Sequence, residues 1–155
     1  MLRLTRGVGI SLTLAFLLSA NALAQQPATQ SLRGVWRVAE IVEGPGGPNP
    51  APFPGFYLFT DKHYSLWVVL AARPKYPPGK GTDAEKIATF DGFAGNSGTY
   101  EINGNTVAMH PMIGKNEYIV GMTSRAEFRI EGDTLFWTSV VPGGAKTVTK
   151  LVRLE

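Results

Sequence analysis

Between Val35 and Leu154 the sequence repeats one device eight times: a short apolar run rich in β-branched and aromatic residues, closed off by glycine, proline, asparagine or aspartate. The runs are Val35 to Val42, Phe56 to Thr60, Tyr64 to Leu70, Thr99 to Ile102, Thr106 to His110, Arg125 to Ile130, Thr134 to Val140 and Thr147 to Leu154. The segments joining them alternate in length. Asp61-Lys62-His63, Asn103-Gly104-Asn105 and Glu131-Gly132-Asp133 are tight turns. Glu43 to Gly55, Ala71 to Ser97, Pro111 to Ser124 and Pro142 to Lys146 are long, and the first of them carries five prolines. In an up-and-down meander, odd and even connections lie at opposite ends. Eight such strands predict an all-β fold, an eight-stranded antiparallel up-and-down β-barrel, closed so that no sheet edge is left exposed. One end is sealed by tight turns and the other is ringed by long loops. A single helix interrupts the pattern between strands 3 and 4: Thr82-Asp83-Ala84-Glu85 is a capping box, Ala84, Ile87, Ala88 and Phe90 form a narrow stripe, and Asp91-Gly92 stops it.

Two hairpins share a local pattern, Ile102-Asn-Gly-Asn-Thr106 and Ile130-Glu-Gly-Asp-Thr134. Taking Glu131-Gly132 as a two-residue loop pairs Phe128 with Leu135 and Ala126 with Trp137, leaving Glu127 and Arg129 on the other face. The same register at Asn103-Gly104 pairs Tyr100 with Val107 and turns Glu101, Thr106, Ala108 and His110 outward. A three-residue loop there would reverse strand 5 and bring His110 inside. Strands 2 and 3 are apolar on both faces, so alternation does not identify their inner side. In strand 1, Gly34 permits a close backbone approach and Trp36 supplies a large buried surface. Strand 8 runs back beside strand 1, which brings Arg153 to the same tight-turn end as Trp36. An arginine over the indole face would seal that end with an apolar stem and a hydrogen-bonding head.

The segment ahead of the first strand has a different purpose. Met1 to Ala24 carries Arg3 and Arg6, then the apolar run Val8 to Leu18, then Ala22-Leu23-Ala24, the small-x-small pattern of a signal-peptidase site. Residues 1–24 are expected to be a signal peptide cleaved after Ala24, 25–31 a polar lead-in, and 32–155 one barrel domain that is periplasmic or secreted. The apolar run is too short for a comfortable membrane span and no second one follows. The chain has no cysteine, which excludes disulfides, thiolate metal sites, thiol catalysis and lipidation at the cleavage point. The net charge of +3 falls to +1 once Arg3 and Arg6 are removed, so nothing electrostatic points to nucleic acid or to an anionic membrane.

Gly34-x-Trp36 in the first strand with Arg153 in the last resembles the calycin signature, and residues from Leu32 onward resemble the bacterial lipocalin-like domain family. The stretches that carry the likeness are Leu32-Arg-Gly-Val-Trp-Arg-Val38, Tyr57-Leu-Phe-Thr-Asp-Lys-His-Tyr-Ser-Leu66, Ser97-Gly-Thr-Tyr-Glu-Ile102, Ile130-Glu-Gly-Asp-Thr-Leu135 and Leu151-Val-Arg-Leu-Glu155. The resemblance implies an eight-stranded barrel with an internal cavity, in which Gly34, Trp36 and Arg153 are structural. The absence of cysteine departs from the many lipocalins that tie down the C-terminal segment with a disulfide.

Candidates for chemistry are few. His63 and His110 are the only histidines, too few for a histidine metal site, and His63 belongs to a tight turn. His110 stands at the long-loop end, where a catalytic base would be needed. Glu40 is the one carboxylate that simple alternation from Trp36 and Val38 turns inward, where burial would raise its pKa; a bulge near the mouth would leave it solvated instead. No Ser-His-Asp order, phosphate-cradling loop, cofactor motif or metal spacing is present. The leading expectation is therefore a small, mostly apolar ligand held at the open end by Val38, Glu40, Tyr100, Val107, Met109, Phe128 and Trp137. The alternatives are an isomerase or cyclase using Glu40 or His110 for proton transfer, and an interaction module acting through the proline-rich loop 44–55 and Phe53.

Overall fold

The computed structural model describes residues 31–140 and 143–155; the expected signal peptide and all of the lead-in before Ser31 lie outside the described residues. Eight antiparallel strands, β1 (Gly34–Glu43), β2 (Gly55–Phe59), β3 (His63–Val69), β4 (Phe93–Asn103), β5 (Thr106–Gly114), β6 (Ser124–Glu131), β7 (Thr134–Val140) and β8 (Lys146–Arg153), pair in chain order. β8 returns to β1 and closes the barrel. One helix, α1 (Asp83–Asp91), lies between β3 and β4 and starts on the Thr82–Glu85 capping box, with both reciprocal bonds formed. A 3₁₀ turn at Glu117–Ile119 lies between β5 and β6.

The tight-turn end is closed as its residue types demand. Trp36 is fully buried, and its indole Nε1 donates to the Leu32 carbonyl at 2.7 Å. The Arg153 guanidinium lies 4.0 Å from the ring centre and donates to the Arg33 carbonyl at 2.7 Å and the Ser31 carbonyl at 3.2 Å. One side chain thus stacks on the first strand's aromatic and satisfies the carbonyls of the segment leading into it. Gly34 has φ +130°, and any Cβ there would collide with the Glu155 carbonyl oxygen, which accepts from the Val35 amide. Glycine is the residue that position tolerates.

The core stacks above this floor: Val38, Phe59, Tyr64, Val107, Met109, Ala126, Leu135, Trp137 and Leu151 are buried, with Leu66, Tyr100, Phe128 and Ile130 packed against them. Trp137 is the hub of its aromatic part, with Tyr57 edge-on at 5.4 Å and Phe59 tilted at 5.7 Å. The inner faces of β2 and β3 are therefore Tyr57 and Phe59, and Tyr64, Leu66 and Val68. Their outer face is apolar too because it builds a second cluster: Trp67 stacks on Phe93 at 6.0 Å, and Phe90 of α1 meets Phe93 edge-on at 6.3 Å. From the helix stripe Phe90 joins that outer cluster, and α1 buries none of its residues.

Four features differ from the sequence reading. β4 starts at Phe93, six residues before Thr99, because its glycines are packing positions: a Cβ on Gly95 would enter the Trp67 ring, and one on Gly98 would strike the His110 carbonyl. β5 continues past His110 to Gly114, absorbing Pro111 beside a bulge at Met112. Both hairpins turn on Gly104-Asn105 and Gly132-Asp133, with positive φ at the glycine, so Tyr100 pairs with Met109, Ile102 with Val107, Phe128 with Trp137 and Ile130 with Leu135. This register differs by two residues from the expected pairing, and a shift of two preserves every side chain's face. Finally, β1 bulges at Ala39: Val38 faces Leu151 while Glu40 faces Lys150.

Replacing Trp36 with Ala should cost about 3–5 kcal/mol of unfolding free energy. Arg153→Met, which keeps the stem and loses the donors, should cost about 1–3 kcal/mol. Equilibrium urea melts measure both, and a loss below about 1 kcal/mol for Trp36→Ala would contradict its role as the floor.

Candidate functional site

At the end ringed by long loops the barrel holds a cavity of about 330 Å³, lined by Val38, Ile41, Asn49, Pro52, Phe53, Tyr57, Val68, Val69, Leu70, Ser139, Thr147 and Thr149. Each wall follows from local structure. The Ala39 bulge turns Ile41 inward opposite Thr149. β7 and β8 place Ser139 across from Thr147, with Thr149 next along the same face opposite Trp137. The proline-rich connection folds over the mouth, fastened to β1 by paired backbone bonds between Ile41 and Asn49 (2.9 and 2.8 Å) and to β3 by the Val69 amide on the Pro54 carbonyl (2.8 Å). Phe53 is thereby turned to the cavity rim.

The chemistry inside is that of an apolar cup with a neutral polar wall. Ser139, Thr147 and Thr149 line up on one side, and Tyr57 rises from beside Trp137 on another. Burial pushes the Tyr57 phenol up to about 12, with no hydrogen bond or charge offsetting it. Tyr64, deeper in the barrel, is also pushed up to about 12 by burial, but its hydroxyl donates to Asn96 Oδ1 at 2.6 Å. Tyr57 is therefore the tyrosine whose polar end is left for something in the cavity.

Among the sequence candidates, Val38 lines this cavity. Tyr100, Val107 and Met109 are in the packed core, where the Tyr100 hydroxyl donates to the Thr60 carbonyl at 2.6 Å, and Trp137 packs beneath Tyr57. Phe128 borders a separate, shallower groove of about 460 Å³ near the tight-turn end, with Ile102 and Ile130. Glu40 is not inside: the bulge rotates it to the outer wall, where it sits 3.7 Å from Lys150. His110 also lies on the outer wall, its Nδ1 3.1 Å from Thr123 Oγ1. Neither of the two acid–base candidates reaches the cavity. Sequence reasoning missed Tyr57, Ile41 and the Ser139, Thr147, Thr149 wall. The threonines and serine alternate correctly along β7 and β8, so their common face was available as a signal, but a hydroxyl is as much at home on an outer face as on an inner one. Among the described residues no three His, Asp or Glu gather as a metal site, and no helix is long and apolar enough to cross a membrane.

The Tyr57 and Tyr64 phenols retain their protons where an unfolded tyrosine, near pKa 10, has lost them. Between about pH 10 and 12 the native state thus binds more protons than the unfolded one, and stability falls as pH rises through that window while being complete below it. Spectrophotometric titration of the native protein should show two of the five tyrosines ionising only above about pH 11, and Tyr57→Phe should remove one of them. All five ionising together near 10 would contradict this placement.

No family model and no curated protein matches the sequence. Among solved structures, the chain is similar to a lipocalin-like protein from Bacteroides uniformis ATCC 8492, with TM-score 0.46 and 14% identity over 79% of this chain and 98% of that one. It is also similar to an uncharacterized protein from Bacteroides eggerthii DSM 20697, with TM-score 0.44 and 10% identity over 77% of this chain and 98% of that one. The structure itself is a closed eight-stranded antiparallel barrel with Gly34, Trp36 and Arg153 at its sealed end.

Proposed function

We propose that this chain is an exported lipocalin-like protein that binds a small, mostly apolar molecule in the cavity at the open end of its barrel. The observation that carries the reading is the cavity itself: about 330 Å³ of space at the loop-ringed end, walled by aliphatic side chains on one part and neutral hydroxyls on another, with a phenol inside it that no described residue hydrogen-bonds. That volume lies in the range of small-molecule sites and is roughly twice the size of a cavity that accommodates benzene. Export rests on the charged start, apolar run and Ala22-Leu23-Ala24 site of residues 1–24. The proton-transfer alternative has lost the residues that motivated it, since Glu40 and His110 face away from the cavity. Phe53, which motivates the interaction-module alternative, lies at the rim of the same cavity.

The test is to fill the space. Ile41→Trp should lower affinity for a neutral naphthalene-based fluorescent probe at least about tenfold, while thermal unfolding shows a loss no larger than the roughly 1–3 kcal/mol expected of overpacking. A wild-type protein that fails to bind the probe, or a variant that binds it undiminished, overturns the reading. Native mass spectrometry of the protein from its own host should show a retained molecule that Ile41→Trp lacks.

A further inference from the structure

We infer that the open-end cavity selects neutral ligands carrying a hydroxyl or carbonyl group over anionic ones of the same size and shape, an inference that rests on the ligand-binding reading above. The lining contains no lysine, arginine, histidine, aspartate or glutamate among the described residues. On the strands that carry the wall, Glu40 pairs with Lys150 and Glu43 with Lys146, each at 3.7 Å, while Arg73 and Lys75 lie on the outer side of Phe53 and Val69 and not in the lining. A carboxylate entering the cup would surrender its hydration and meet no cation among the lining residues in return.

What the cavity does provide is a set of neutral donors and acceptors. Among the described residues no group hydrogen-bonds the Tyr57 hydroxyl, and the hydroxyls of Ser139, Thr147 and Thr149 stand on the β7–β8 wall. A phenol or an aliphatic hydroxyl donates to a carbonyl oxygen and either donates to or accepts from an alcohol. The rest of the lining, Val38, Ile41, Phe53, Val68, Val69 and Leu70, contacts hydrocarbon. The upward-shifted Tyr57 phenol reports the same property from the protein's side, because the environment that resists a phenolate resists a carboxylate too. A suitable ligand therefore has an apolar body and one uncharged polar group: an alcohol, ketone, aldehyde or lactone.

The experiment compares 1-octanol with octanoate by calorimetric titration at pH 7, using the barrel domain freed of residues 1–24 as the exported protein would be. Octanol should bind at least about tenfold more tightly than octanoate. Octanoate affinity should rise as the pH is lowered toward about 4 and the carboxyl takes up its proton, and Tyr57→Phe, which keeps the ring against Trp137, should weaken octanol about three- to tenfold with an unchanged melting temperature. Octanoate binding as tightly as octanol at pH 7 overturns the selectivity and leaves the ligand-binding reading standing. Binding of neither, together with failure of the naphthalene probe, overturns both. Undiminished octanol affinity in Tyr57→Phe overturns the assignment of that hydroxyl.

Discussion

The stacking of Arg153 on Trp36 is the contact on which the rest of the barrel depends. It joins the first strand to the last, and a barrel exists only if those two find each other across the whole length of the sequence. A guanidinium suits the task better than an ammonium or an aliphatic side chain. Its plane covers the indole while its fork reaches the carbonyls of Arg33 and Ser31, so one side chain both packs the floor and satisfies two of its polar groups. Gly34 makes the arrangement possible by letting the Glu155 carbonyl pass where a side chain would otherwise stand.

With the floor fixed, the strands are obliged to carry their remaining freedom upward. The Ala39 bulge shows the effect. Below it, β1 obeys the alternation set by Trp36 and Val38; above it the phase is inverted, Ile41 enters the cavity and Glu40 leaves it for Lys150. A single extra residue thereby exchanges a carboxylate for an aliphatic group in the cavity wall. β-Bulges are common next to functional sites because they re-aim side chains in this way.

The architecture was legible in the sequence because loop length and turn chemistry are local properties. Tight turns at Asp61, Gly104 and Gly132 and the capping box at Thr82 declare themselves in three or four residues, and Trp36 with Arg153 marks the end to which they belong. The faces of β5, β6 and β7 were readable as well, even with the hairpins misregistered, since an error of two residues leaves the inside inside. What was hidden is non-local. Nothing near Gly95 announces that a Trp67 ring lies against it, so a strand reads as a loop. Nothing near Ala39 announces a bulge, so Glu40 reads as buried. The inner face of β2 was undecided because Phe56 and Leu58 are as apolar as Tyr57 and Phe59, and the outer aromatic cluster that explains them is assembled from β2, β3, β4 and α1.

The proline-rich connection over the cavity has a consequence for the dynamics of entry. Pro45, Pro48, Pro50, Pro52 and Pro54 each restrict φ, and the loop is fastened at Asn49 and again at Pro54. On the ligand-binding proposal, little conformational entropy would remain for it to lose when the cavity is filled, so less of the binding free energy would be diverted into ordering the cover. On the same proposal, widening the mouth on this side requires rupture of the backbone bonds at Ile41 and Val69, so residence time would follow the strength of three hydrogen bonds at the rim.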